Sequence, residues 1–302
     1  MYLQTFIPLF LAVHIPVENG MWEYWEYGLE YIFNVNVYVG RPLNYDKNRS
    51  FFWHTSNVTY RLFCTPKSSR PWGRKTILNC HLQNVHNNCT PDKNNDMPFE
   101  LLYNKMGIEK MLIPESTRRF DLHVLKLVAE QLDPATTFKD VKHVSKPSNQ
   151  YKSDVAHKSI VGGCNINFDI KRQKLQDERL SGQRNFRMVP LLQELHINSN
   201  KEKLIVNKTK VSTTCNIRTD HYFQTFLHKG QDCQEVKLYL DTMTSLMQIE
   251  KNSFVSSTRR EGRMMLTNTK ISEFVEVILE DVRPVGEPVT IVQPKETIII
   301  VN

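Results

Sequence analysis

His221, His228 and Cys233 lie close together in the chain, and imidazole nitrogen and thiolate sulfur are the donors zinc prefers. The plainer reading makes the histidines strand and loop residues and Cys233 half of a disulfide, so no metal site is expected. No G-x-S-x-G, H-E-x-x-H, G-x-G-x-x-G or P-loop pattern occurs anywhere. Without a placed nucleophile, a metal box or a phosphate cradle, the sequence predicts no catalytic residues, no cofactor and no enzyme.

Six cysteines stand at 64, 80, 89, 164, 215 and 233 with no C-x-x-C pair, which excludes zinc-finger and thioredoxin spacings and points to disulfides. Sequons at Asn48, Asn57, Asn88 and Asn207 are candidate glycosylation sites. Cys89 fills the middle position of the Asn88 sequon, where an early disulfide would hinder access. Residues 6 to 17 read FIPLFLAVHIPV, an apolar run too short to span a bilayer and suited to a secretory leader. We therefore expect residues 1 to 20 to be a signal peptide and the chain to be secreted, with no transmembrane segment. The alternative for this run is a buried N-terminal strand.

The net charge of +7 favours acidic partners. Residues 171 to 187, KRQKLQDERLSGQRNFR, concentrate six basic side chains against two acidic ones and read as an exposed excursion. No aromatic interleaving accompanies them, so nucleic acid is not an expected partner.

The elements that would position these groups are mostly strands. Leu29, Tyr31, Phe33, Val35, Val37 and Val39 alternate with Glu30, Ile32, Asn34, Asn36 and Tyr38, which predicts a strand with one more polar face. Residues 58 to 64 and 76 to 82 read as a hairpin around the turn-rich PKSSRPWGR, with Cys64 and Cys80 near one another across it. FELLYN and IEKMLIP form a second hairpin with Gly107 in the turn. Residues 134 to 159 read as a polar loop, IVGGCNINFDI as a strand, and β-branched or alternating runs continue from 211 to the C-terminus.

One helix stands out. Pro114 ends the second hairpin, Ser116 or Thr117 offers a cap, and Leu132 ends the helix before Asp133-Pro134. At 100° per residue, Phe120, Val124, Leu127 and Val128 cover one side and Leu122, Leu125, Ala129 and Leu132 the next. Arg119, His123, Lys126 and Glu130 share one narrow polar arc. The apolar arc is about 220°, against roughly 100° for a helix lying on a surface. Such a helix needs strands around it, so the expected fold is mainly β with one central helix, a strongly curved antiparallel barrel-like sheet.

The order of PFELLYNKMGIEKMLIPE, the helix FDLHVLKLVAEQL, SIVGGCNINFDI, TTCNIRTDHYF and SSTRREGRMMLTNT resembles the N-terminal barrel of the vitellogenins, insect-type ones most closely, in the large lipid transfer protein family. The likeness covers most of residues 22 to 302, and makes 21 to 302 one barrel domain. It implies a β-barrel-like sheet around a central helix and a disulfide between Cys164 and Cys215. Cys64, Cys80, Cys89 and Cys233 depart from the pattern, and their pairing stays open.

The resemblance also implies lipid transport or yolk provisioning, with lipid and an acidic vitellogenin-type receptor as partners. Lys171, Arg172, Lys174 and Arg179 could supply cations to that receptor; a solvated loop is the plainer reading of the same residues. The 302 residues hold no counterpart of the family's helical domain, lipid-cavity sheets or von Willebrand factor D-type module. Bulk lipid carriage by this chain alone is thus not expected, and a recognition or assembly role is. The competing expectation is a secreted structural or signalling protein that reuses the barrel without lipid.

Overall fold

The structure is a computed structural model of the 302-residue chain. It describes residues 10–14, 28–42, 53–67, 76–86, 96–104, 107–133, 150–159, 162–174, 186–190, 202–211, 216–217, 222–225, 234–264, 268, 270–285 and 296–300. These form sixteen strands and one helix, and every strand pair is antiparallel.

The strands are β1 (Phe10–His14), β2 (Leu29–Pro42), β3 (Trp53–Lys67), β4 (Thr76–His86), β5 (Asp96–Asn104), β6 (Gly107–Pro114), β7 (Gln150–Ser159), β8 (Gly162–Lys174), β9 (Phe186–Pro190), β10 (Glu202–Val211), β11 (Asn216–Ile217), β12 (Tyr222–Thr225), β13 (Gln234–Glu250), β14 (Ser253–Met264), β15 (Lys270–Pro284) and β16 (Glu296–Ile300); α1 is Arg119–Gln131. Fourteen strands make one sheet in the order β11-β8-β10-β13-β14-β15-β2-β3-β4-β5-β6-β16, with β12 against β13 and β7 against β8. Among the described residues the sheet is not closed into a barrel, contrary to the full closure that a barrel implies. β1 and β9 form a separate two-stranded sheet, so residues 10–14, inside the expected leader, are paired as a strand.

From Leu29 to Val39 the alternation in β2 is realised at every residue but Ile32, which is buried on the other face. Leu29, Tyr31, Phe33, Val35, Val37 and Val39 are all buried, while Asn34, Asn36 and Tyr38 are half-buried on the other face. β3 and β4 form the expected hairpin, each longer than its apolar core suggested, and Cys64 pairs with Cys80 in register and in a disulfide. That bridge was one option among several in the sequence. In the next hairpin Asn104 opposes Gly107, whose φ of 137° is open to glycine alone without strain.

Other expectations fail. β7 lies in the stretch expected to be a polar loop, and β8 continues as strand to Lys174, into the run expected to be an exposed excursion. Neither Ser116 nor Thr117 caps α1. Its N-cap is Arg118, whose donor-only side chain makes no capping bond, and the Thr117 hydroxyl donates to the Pro114 carbonyl at 2.6 Å. The favourable charge in the first turn is Asp121, to which Arg118 Nε donates at 2.7 Å.

The core joins the helix to the sheet. Val124, Leu125, Leu127, Val128, Ala129 and Leu132 are buried in one cluster with β2–β6, β8, β10, β13, β14 and β15, and the half-buried Leu122 packs against it. The Phe33 and Phe254 rings meet edge to face at 6.4 Å.

Candidate functional site

Three successive rows of facing residues cross the inner face of the sheet from β10 through β13, β14 and β15 to β2. The first is Val206, Met247, Ser256, Val277 and Val35; the second Lys208, Ser245, Thr258, Val275 and Val37; the third Lys210, Met243, Arg260, Glu273 and Val39. Within two rows the face changes from apolar to charged, yet Lys208, Lys210, Arg260 and Glu273 are each less than 5% exposed. Groups this deep keep their charges only if paired.

The end of α1 supplies the pairing. Lys210 Nζ meets Glu130 Oε1 at 2.6 Å, and Lys208 Nζ donates to the Asp133 carbonyl at 2.5 Å. A cation just past the C-cap Leu132 also lies at the negative end of the helix dipole. Arg260 binds Glu273 directly across β14 and β15, its Nε at 3.1 Å. The tally is three cations (Lys208, Lys210, Arg260) against three carboxylates (Glu130, Asp133, Glu273).

Neutral groups complete the fit. Thr258 Oγ1 lies 2.9 Å from both Gln131 Oε1 and Ser245 Oγ. An amide oxygen can only accept, so the threonine donates to Gln131 and accepts from Ser245. Gln131 Nε2 donates back to the Leu127 carbonyl at 3.1 Å. From the other side of α1, Tyr103 Oη donates to the Leu132 carbonyl at 3.3 Å, and the Ile108 amide donates to Asp133 Oδ1 at 3.2 Å. Asp133 therefore joins β6 to β10, which stand eight places apart in the sheet order.

These contacts set the ionisation of the site. Burial opposes charging Glu130, but the Lys210 charge and hydrogen bond, then the Lys208 and Arg260 charges, outweigh it and hold the carboxyl below its ordinary value. Burial depresses Lys208, only partly offset by Asp133 and Glu130 and reinforced by Lys210. Burial, then the Asp133 charge, drives the Tyr103 phenol well above its usual range. The arrangement is one of buried charges and hydrogen bonds that pair with each other and hold the end of α1 against the sheet.

Glu130 belongs to the narrow polar arc of α1, and it is 6% exposed against Lys210. Lys208 and Lys210 escaped sequence reasoning altogether. The available signal was the spacing of Leu204, Val206, Lys208 and Lys210, one strand face whose last two members changed polarity.

The residues singled out in the sequence do not converge on this cluster. Lys171 is half-buried, Lys174 is exposed, and Arg172 is turned inward, 8% exposed, with Glu202 at 4.0 Å. Arg179, Cys215, Asn48, Asn88, His221, His228 and Cys233 lie outside the described residues, as does the side chain of Cys164. Asn216, next to Cys215 in sequence, pairs with Gly163, next to Cys164. Asn57 is exposed on β3, whereas Asn207 is half-buried in β10 between β8 and β13. Among the described residues no group of three or more His, Cys, Asp or Glu could hold a metal ion, and no helix is long and apolar enough to cross a membrane.

No protein-family model matches the chain, and no curated protein matches it.

Proposed function

We propose that this chain is a secreted, vitellogenin-like protein linked to lipid transport or yolk provisioning, and that it acts as a non-catalytic recognition or assembly module. In this reading the sheet curls strongly around α1. Asp133 carries the reading: along a flat sheet eight strand spacings would hold β6 and β10 about 38 Å apart, far beyond the reach of one aspartate and a lysine. Curling of this kind is also what a helix with six buried apolar side chains from Val124 to Leu132 requires.

Secretion is supported by the Cys64–Cys80 disulfide, a bond that persists in oxidising compartments. The pairing of Asn216 with Gly163 supports a second bridge, Cys164 to Cys215. Asn57, exposed, suits a glycan better than Asn207, whose strand is paired on both edges. Receptor contact narrows to Lys171, Lys174 and Arg179, because Arg172 is buried on the inner face.

The alternative, a secreted structural or signalling protein without lipid, draws support from α1, which fills the apolar face that a lipid would otherwise cover. Solvent extraction of the purified protein separates the two. Co-purifying lipid, in less than bulk amount, is expected on the first reading, and its complete absence leaves the second. Charge reversal at Lys171 and Lys174 should weaken binding to an acidic receptor at low salt, and unchanged binding removes the receptor role.

A further inference from the structure

The end of α1 carries two carboxylates, Glu130 and Asp133, onto a patch of sheet whose three cations exceed its one carboxylate, Glu273, by two. The match is one of charge as well as shape. On α1 itself His123 and Lys126 share the arc of Glu130, both half-buried, and both are retained in the Glu130→Gln/Lys210→Met variant. β10 presents Lys208 and Lys210, β14 Arg260, β15 Glu273 and β5 the Tyr103 phenol, while β13 presents Ser245 and β6 the Ile108 amide. β12 (Tyr222–Thr225) contains no carboxylate, lysine, arginine or histidine.

We propose that this contact is an acid-released clasp: protonation of Glu130 strands Lys210 and leaves three cations facing too few anions, so the C-terminal turns of α1 lift from the sheet while the apolar strands stay folded. The cations sit less than 5% exposed, where their mutual repulsion is poorly screened. The opposite half of the inner face is anchored by aliphatic and aromatic side chains and by the Cys64–Cys80 bridge, none of which titrates in acid.

The signs of the two ionisation shifts agree with this direction. Glu130 is held below its ordinary value of 4.5, so its contribution is complete above that pH and is lost as the pH falls through the lower folded value. Lys208 is also depressed, below 10.5, so the unfolded state binds the extra proton and docking strengthens as pH rises through that interval. Both make the clasp tighter in base and looser in acid.

Hydrogen exchange read by mass spectrometry on the intact chain, corrected for the intrinsic pH dependence of exchange, tests the idea. Between pH 7 and pH 3.5, protection across residues 122 to 133 should fall about tenfold further than protection in β2 and β3. In Glu130→Gln/Lys210→Met, where nothing titrates at that position, the excess should shrink below about threefold. A parallel fall of helix and sheet in the wild-type chain overturns the proposal, whether or not the variant folds. So does an undiminished excess in the folded variant.

Discussion

The inner face on β2 to β5 and the inner face on β10, β13, β14 and β15 belong to one sheet and touch one helix, yet they are built differently. The first is dry: Tyr31, Phe33, Val35, Leu62, Leu78, Phe99 and Leu101 are at most 2% exposed, with Cys64 bonded to Cys80 among them. The second is equally buried but ends in Lys208, Lys210, Arg260 and Glu273. Apolar contact is non-directional and stabilises almost any arrangement that excludes water. Buried ion pairs contribute little net stability, but they penalise every arrangement that separates them. The dry half holds the domain together, and the charged half fixes where α1 ends.

That division can be broken most severely at Arg260. Arg260→Met strands Glu273, fully buried, and should cost about 3–5 kcal/mol in denaturant unfolding, whereas Arg260→Met/Glu273→Leu should recover most of the loss. Equal losses in single and double variants would mean the pair contributes stability after all. On the dry side, replacing Cys64 and Cys80 by alanine releases a link across 16 residues and should cost about 3 kcal/mol, with no change in pH dependence. A smaller effect is expected at Thr258→Val, which leaves Gln131 Oε1 with a weaker set of donors: about 1–2 kcal/mol, seen as lower hydrogen-exchange protection at the end of α1.

The same contrast explains what could be read in the sequence. β2 was legible because period two and burial coincide from Leu29 to Val39. The Cys64–Cys80 hairpin was legible because turn residues separate two short runs with strand-like composition, and α1 because its apolar arc is too wide for a surface helix. β10 was not, since Lys208 and Lys210 sit at inner positions where an apolar period should continue, and a lysine seen alone looks solvated. Glu130 was hidden for the same reason: its partner lies eighty residues away, on a strand that periodicity does not reveal. β7, with polar QYKSDVAHKS, pairs only with β8 among the described residues, and strands at such a position carry little apolar signal. Thr117 lost its expected capping role to a carbonyl three residues back, a choice local geometry makes and residue type does not.

If the sheet curls until β6 and β10 meet at Asp133, the two strands lie close in space, and a distance between them tests this directly. Nitroxides on ketone-bearing side chains at positions 110 and 209, which leave the native cysteines untouched, report the separation of the two strands by pulsed dipolar spectroscopy. A curled sheet predicts a distribution centred below about 30 Å, whereas one centred at about 38 Å or more, the span of a flat sheet, would contradict the account.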